Sequence, residues 1–72
     1  MTFGEKLKNL RKEKNLSIKK LSELSGLSPV QISNYEHNHY VPNAINLNKL
    51  VMALNCNYDD LDLTRKESNG TK

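Results

Sequence analysis

Residues 16–36, LSIKKLSELSGLSPVQISNYE, decide the fold, because they contain two short amphipathic helix patterns separated by a turn of a few residues. Apolar residues recur there at spacings of three to five, as one packed face of a helix requires. Two helices are therefore predicted, and both need a core to pack against. The apolar positions are Leu16, Leu21, Leu24, Leu27, Ile32 and Tyr35.

The residues around Gly26 carry the chemistry of a helix end followed at once by a helix start. Gly26 stands where the first helix must stop, and glycine adopts a left-handed conformation without a Cβ penalty. Ser28 is the predicted N-cap of the next helix, with Pro29 at its first position and Gln31 at the capping-box position. This chemistry predicts a helix-turn-helix.

Length and composition indicate one small domain in the cytoplasm. The 72 residues leave no room for a second domain, and one cysteine, Cys56, excludes an internal disulfide framework. No apolar run approaches the length of a membrane span or of a signal peptide, so no membrane partner is expected.

The charge is unevenly distributed along the chain. Residues 1–20 have a net charge of +5, from seven bases and two acids, and residues 21–63 have a net charge of −4, from one base and five acids. Nucleic acid is the polyanion that such an asymmetry favours, although a solvated basic face with no partner has the same composition.

Further helices are predicted on both sides of the central stretch. Thr2 and Glu5 form a capping box that opens helix one, which ends near Asn15. Asn38 can adopt the left-handed conformation that ends helix three, and Asn55 is expected to end helix four. The remaining assignments are a helix-one face of Phe3, Leu7 and Leu10; Asn43 as the N-cap of helix four; a helix-four core stripe of Leu47, Leu50, Val51 and Leu54; and a short helix five opened by Asn57 and Asp60 that contributes Leu61 and Leu63.

The start of helix two breaks a local rule. Ser17 is its predicted N-cap, and Lys19 and Lys20 follow in the first turn, where cations oppose the positive end of the helix dipole. A bound anion would reverse the sign of that interaction, so this end is a candidate phosphate-docking site. Simple solvation of both lysines is an equally good interpretation at this point.

These elements and motifs resemble the lambda-repressor-like (Cro and XRE type) helix-turn-helix family of DNA-binding regulators. The resemblance covers about Phe3 to Leu63 and implies a compact, all-α, five-helix DNA-binding domain in residues 1–63, with residues 64–72 as a disordered polar tail. The matching motifs are LR at 10–11, SxxxL at 17–21, the glycine of LSGLS at 24–28, ISxYE at 32–36, Pro42, and ALNCNYDDL at 53–61.

By this resemblance, helix three lies in the major groove and reads bases, while helix two crosses the phosphate backbone. Asn34 is the best candidate for a base contact, because a carboxamide pairs bidentately with adenine, and Val30 suits a thymine methyl. Gln31 either serves only the capping box or also reaches DNA. The implied base-reading residues are Pro29, Val30, Gln31, Ser33 and Asn34, and the implied phosphate contacts are Ser17, Lys19, Lys20, Ser28, His37, His39 and Tyr40.

Two positions depart from the family pattern. Ile18 stands where the family often has a DNA-contacting glutamine, so one contact is missing. The loop after helix three is often basic in the family, whereas here His37, Asn38, His39 and Tyr40 leave backbone amides and neutral side chains to meet phosphate. Modest affinity, or affinity that is more sensitive to pH below about 6.5 as the histidines become charged, is the expected consequence.

Two further sets of residues have structural roles in this interpretation. Arg11 and Glu36 match a family ion pair, and both lie at the rim of the apolar face. Ile45 and Met52, seven residues apart on helix four, either complete the core or form, with Tyr58, the interface of a homodimer.

The sequence indicates no enzyme and implies no cofactor. His37, His39 and Cys56 do not have metal-ligand spacing, and Cys56 is the expected small buried hydrophobe. The resemblance implies a sequence-specific regulator of transcription, a repressor, that binds double-stranded DNA and has no separate effector domain. A protein-interaction module of the same fold, such as an antitoxin or adaptor with a protein partner, is the alternative.

Overall fold

The computed structural model describes residues 2–61, which form five α-helices and no strand. The helices are α1 (Phe3–Glu13), α2 (Ile18–Ser25), α3 (Pro29–Glu36), α4 (Ala44–Leu54) and α5 (Tyr58–Leu61). The predicted all-α, five-helix architecture is thus confirmed, whereas Leu63 and the tail at 64–72 lie outside the described residues. None of these five helices is long and apolar enough to cross a membrane.

The core lies where α1 and α2 each pack across α3, with α4 closing against α2 and α5 against α1 and α4. The core follows the predicted apolar stripes. At its edge pack four partly buried residues of those stripes: Phe3, Leu10, Leu16 and Leu47. Its buried hydrophobic residues are Leu7, Leu21, Leu27, Ile32, Tyr35, Leu50, Val51, Leu54 and Leu61.

Leu24 was expected in this core, and that prediction is wrong, because 51% of its surface is exposed. The buried face of α2 is centred on Leu21 and Ser25, four residues apart. At about 100° per residue, Leu24 lies about 80° from the middle of that face, a little under a quarter of a turn. Leu27, beyond the turn, is buried in the core.

Asparagine ends three of the helices, as the sequence predicted. Asn15, Asn38 and Asn55 adopt positive φ values of 59°, 62° and 54°, and Gly26 ends α2 with φ of 80°. After each asparagine, the following amide returns to the helix: Leu16 N donates to Arg11 O, His39 N to Asn34 O and Cys56 N to Val51 O. This is the Schellman pattern, which satisfies carbonyls that a helix end otherwise leaves free.

Two serines shape the turn between α2 and α3. The Ser22 Oγ donates to the Leu27 carbonyl oxygen at 2.6 Å, and the Ser25 Oγ accepts from the Leu27 amide at 3.2 Å. Both polar backbone groups of Leu27 are therefore bonded although its side chain is buried. The turn is fixed by side chains of the preceding helix, which sets the angle at which α3 leaves it.

Helices α1 and α3 approach most closely at Gly4. A Cβ built on Gly4 would lie 2.7 Å from both the Glu36 carbonyl carbon and the Tyr35 carbonyl oxygen, and closer still to the Glu36 oxygen. Only a residue without a side chain fits at this crossing. The first turn of α1 therefore lies directly against the backbone at the end of α3.

Candidate nucleic-acid interface

The outer face of α3 presents the residues that the sequence proposed as base readers. Pro29, Val30 and Gln31 are exposed, Val30 to 68%, and Ser33 and Asn34 are partly exposed. Ile32 and Tyr35 occupy the opposite, buried face. The structure thus brings the five predicted residues together on the solvent side of one short helix.

Gln31 is engaged in the cap of α3. Its Oε1 accepts from the Ser28 amide at 2.9 Å, and the Ser28 Oγ accepts from the Gln31 amide at 3.1 Å. The capping role that the sequence left open is therefore present. Because the side-chain oxygen is used in this way, the Gln31 amide nitrogen is the group that remains to reach outward.

The start of α2 is an exposed, positively charged helix end. The Ser17 Oγ accepts from the Lys20 amide at 2.9 Å, which completes the predicted N-cap. Lys19 is exposed, and the Lys20 Nζ lies 3.8 Å from the Glu23 Oε1 in a pair that is more than half exposed on both sides. Such a surface pair contributes at most about 1 kcal/mol, so Lys20 can turn to an outside anion at little cost.

One prediction about the loop after α3 is wrong. Its amides were predicted to meet phosphate, but the His37, Asn38 and His39 amides donate instead to the Ser33, Tyr35 and Asn34 carbonyls. The cause is the Schellman turn at Asn38, which directs these donors back into the helix. His37, His39 and Tyr40 remain exposed, so their side chains are what this part of the loop offers to a ligand.

The His37 ring folds back over the last turn of α3. Its Nδ1 lies 2.8 Å from the Ser33 carbonyl oxygen and 3.4 Å from the Ser33 Oγ, and its centroid lies 5.9 Å from that of His39. A carbonyl oxygen only accepts, so the Nδ1 of His37 carries the proton in this arrangement. The Nε2 is the nitrogen left for an external partner.

Arg11 and Glu36 form the predicted ion pair, and it is bidentate. The Arg11 Nε lies 2.6 Å from the Glu36 Oε2, and the Nη2 donates to the Oε1 at 3.1 Å. The Nη1 of Arg11 also donates to the Leu16 carbonyl at 2.8 Å. Both residues are buried, so one guanidinium joins the last turn of α1, the segment between α1 and α2, and the last residue of α3.

The apolar residues on α4 do not complete the core, so that alternative from the sequence is wrong. Ile45 is 67% exposed, Met52 71% and Tyr58 45%. The Tyr58 hydroxyl donates to the Asn48 Oδ1, and the Asn48 Nδ2 lies 3.7 Å from the Met52 sulfur. Asn48, which sequence reasoning did not select, therefore holds Tyr58 against α4 and joins Met52 and Tyr58 into one outer face.

The chemistry of Cys56 is that of a packed thiol. Its side chain is partly buried against the core. This burial, with the carboxylate of Asp60, raises the pKa of Cys56, and Lys14 opposes the shift. The thiol therefore stays protonated at neutral pH and is a poor nucleophile. Within residues 2–61, no group of three or more His, Cys, Asp or Glu side chains is placed to hold a metal ion.

Comparison with known protein families places this arrangement among helix-turn-helix proteins. A family model described as a helix-turn-helix domain matches residues 4–67. The HTH-type transcriptional repressor RghR of Bacillus subtilis (strain 168) is 38% identical over 61 residues, which is 83% of this chain and 45% of RghR. The chain thus spans a little under half the length of this relative.

Solved structures give the same result at nearly full length. The restriction-modification controller protein C.AhdI of Aeromonas hydrophila superposes with a TM-score of 0.80 and 33% identity, over 83% of this chain and 91% of that one. The P22 c2 repressor, in complex with a synthetic operator, superposes with a TM-score of 0.80 and 34% identity, over 85% of this chain and 92% of that one. The DNA-binding domain of the same repressor in solution gives a TM-score of 0.81.

Proposed function

The chain belongs to the helix-turn-helix domain family, and we propose that it is a sequence-specific DNA-binding regulator of transcription that acts as a repressor in the cytoplasm. The relatives support this proposal, since they include a transcriptional repressor and a repressor in complex with its operator. Their names are those of regulators, which agrees with the expectation that the chain is not an enzyme.

The observation that carries the proposal is the outer face of α3. It is solvent-exposed, it carries no charged side chain at Val30, Gln31, Ser33 or Asn34, and it mixes hydrogen-bonding groups with one aliphatic group. Base edges in the major groove offer amide-like acceptors and donors together with the thymine methyl. Asn34 reads adenine in this proposal, and Val30 packs on a thymine methyl.

Phosphate contacts position α3 without reading sequence. The start of α2 supplies one site through the free end of the helix and the ammonium groups of Lys19 and Lys20. The other phosphate contacts in this proposal are the exposed side chains of Ser17 at the start of α2, Ser28 at the start of α3, and His37, His39 and Tyr40 in the loop after α3.

Two variants separate base reading from positioning. A DNA duplex is first recovered by selection from random sequences with the wild-type protein, and its binding is measured over a range of salt concentrations. Asn34→Ala is expected to weaken binding to this duplex by about tenfold to a hundredfold and to leave binding to random duplex unchanged. Lys20→Ala is expected to weaken both equally and to reduce the salt slope by about one.

The proposal fails if no duplex binds with an inverse dependence on salt. Equal losses on both duplexes for Asn34→Ala would remove Asn34 from base reading while leaving DNA binding in place. Selection also returns the half-site sequence and spacing, which the sequence of the protein does not contain.

The outer face of α4 suits a second copy of this chain. Ile45, Met52 and Tyr58 are uncharged and exposed, and the Asn48 hydrogen bonds hold two of them in place. A two-fold contact places the same face on both subunits, and these three uncharged side chains meet their copies without charge repulsion. Such a dimer would set two α3 helices about 34 Å apart, the separation of successive major grooves.

Met52→Glu is the test of this dimer. It places two like charges near a two-fold axis, so the variant is expected to be monomeric at a protein concentration where the wild type is dimeric. Sedimentation equilibrium measures the mass. Lys8→Gln, exposed on α1, changes the net charge by the same amount and is the control for charge alone. A wild-type monomer at concentrations that saturate the selected duplex would contradict the dimer.

The same exposed face also favours a second candidate function, a protein-interaction module such as an antitoxin or adaptor. In that case binding to the protein partner would be lost with Ile45→Asp and would be insensitive to Asn34→Ala and Val30→Ala. Steep salt-dependent binding to duplex DNA would decide for the regulator.

A further inference from the structure

The side chain of Asn38 joins the end of α3 to the start of α1. Its Oδ1 accepts from the Gly4 amide at 2.9 Å, and its Nδ2 donates to the Thr2 Oγ1 at 3.0 Å. One carboxamide therefore bonds both the N-cap side chain and a first-turn amide of a helix more than thirty residues earlier in the chain. Helix starts leave such amides without intrahelical partners, and here the partner comes from the loop after α3.

Asn38 has this reach because of its backbone conformation. Its φ of 62° turns the chain sharply after α3, and its own amide donates to the Tyr35 carbonyl. Glycine would allow the same turn but would have no side chain to cross to α1. A Gly substitution at this position therefore removes the carboxamide and keeps the turn.

The surroundings show what this link holds. Asn38 lies between His37 and His39 and two residues before Tyr40, the three loop side chains in the proposed phosphate contact. The amides of residues 37–39 donate to the last two turns of α3, whereas the Asn38 side chain carries hydrogen bonds from this loop to the start of α1. Without it, the loop would be held only by its hydrogen bonds to the end of α3.

We propose that Asn38 is a positioning residue for DNA binding: its carboxamide fastens the loop at residues 37–40 to the start of α1 and so presets the loop for phosphate. This inference rests on the proposed function and extends it to a residue that does not itself contact DNA. Preorganisation raises affinity because the loop is then not ordered at the expense of binding.

Asn38→Gly tests the inference, with Asn55→Gly as a matched control. Both variants replace an asparagine of positive φ after a helix, but among the described residues Asn55 makes no recorded side-chain hydrogen bond. Asn38→Gly is expected to weaken binding to the selected duplex and to random duplex by the same factor, roughly tenfold, because phosphate contacts carry no sequence information. Asn55→Gly is expected to change either affinity by less than about twofold.

Two further measurements distinguish positioning from loss of fold. Circular dichroism identifies a temperature at which both variants are folded. At that temperature, NMR relaxation measures the order parameters of the amides of residues 37–40. Asn38→Gly is expected to lower those order parameters and to speed hydrogen exchange at the Gly4 amide. Asn38→Asp keeps the acceptor for that amide and is expected to restore its protection.

If the wild type binds the selected duplex and the two variants, Asn38→Gly and Asn55→Gly, bind it with equal affinity, the positioning role is overturned and the proposed function stands. Unchanged order in the loop of Asn38→Gly would overturn it as well. A wild-type protein that binds no duplex at low salt would overturn the proposed function, and the role of Asn38 in DNA binding with it.

Discussion

Arg11→Ala is expected to lower the free energy of unfolding by about 3–5 kcal/mol, whereas Lys12→Ala, on the adjacent residue, should change it by less than about 0.5 kcal/mol. The difference arises from burial. The Arg11 and Glu36 side chains are 11% and 4% exposed, and Lys12 is on the solvent side of α1. Such a loss is a large part of the stability of a domain of this size.

Most of the expected cost comes from what the substitution leaves behind. Without Arg11, the Glu36 carboxylate remains buried with no cation beside it, and the Leu16 carbonyl loses the Nη1 donor. An unpaired buried charge is far more costly than the intact pair is stabilising. The substitution also removes one of the links between α1 and the end of α3, so the effect extends to the helix that is proposed to read bases.

Urea and thermal denaturation of Arg11→Ala and Lys12→Ala measure the effect directly. A double variant, Arg11→Met with Glu36→Met, separates the two contributions, because it removes both charges and keeps most of the volume. It should recover most of the loss of Arg11→Ala. Equal midpoints for Arg11→Ala and Lys12→Ala would show that the ion pair contributes nothing to stability.

Helix boundaries were predictable because their chemistry is local. Gly26 and the asparagines at 15, 38 and 55 end their helices for conformational reasons that act within a few residues. The capping boxes of α1 and α3 are equally local, since each joins two residues three positions apart. Local rules of this kind appear in the sequence itself.

Other features depend on what lies across the fold, and the sequence does not contain that information. The periodicity included Leu24 among the core positions, because spacing alone does not show where the centre of a buried face lies. The loop amides were expected to meet phosphate. A turn at Asn38 does not by itself reveal that three of these amides donate to carbonyl oxygens of α3. The side-chain bonds of Asn38 required the start of α1 to be nearby.

Gly4 is the clearest case of a residue whose role is not local. In sequence it is an unfavourable residue inside a helix, about 1 kcal/mol worse than alanine, so helix propensity alone predicts that Gly4→Ala stabilises the protein. The structure reverses the sign, because the added Cβ would meet the backbone of Tyr35 and Glu36. Backbone atoms cannot rotate away as the end of a side chain can, so α1 and α3 must separate.

Gly4→Ala is therefore expected to destabilise the protein by about 3 kcal/mol, the upper part of the range for overpacking, despite its gain in helix propensity. Gly26→Ala is the control, because its cost would come from backbone strain and not from a steric clash. The space around Gly26 is open, but its φ is positive, so a loss of about 1–2 kcal/mol is expected. Urea denaturation ranks the two. A Gly4→Ala protein as stable as the wild type would mean that the helices can separate at no cost, and the position of α3 would then not depend on α1. If instead the loss of stability is large, the separation of α1 from α3 should also weaken the hydrogen bond from the Gly4 amide to the Asn38 Oδ1. Gly4→Ala should then lose DNA affinity even at temperatures where it remains folded.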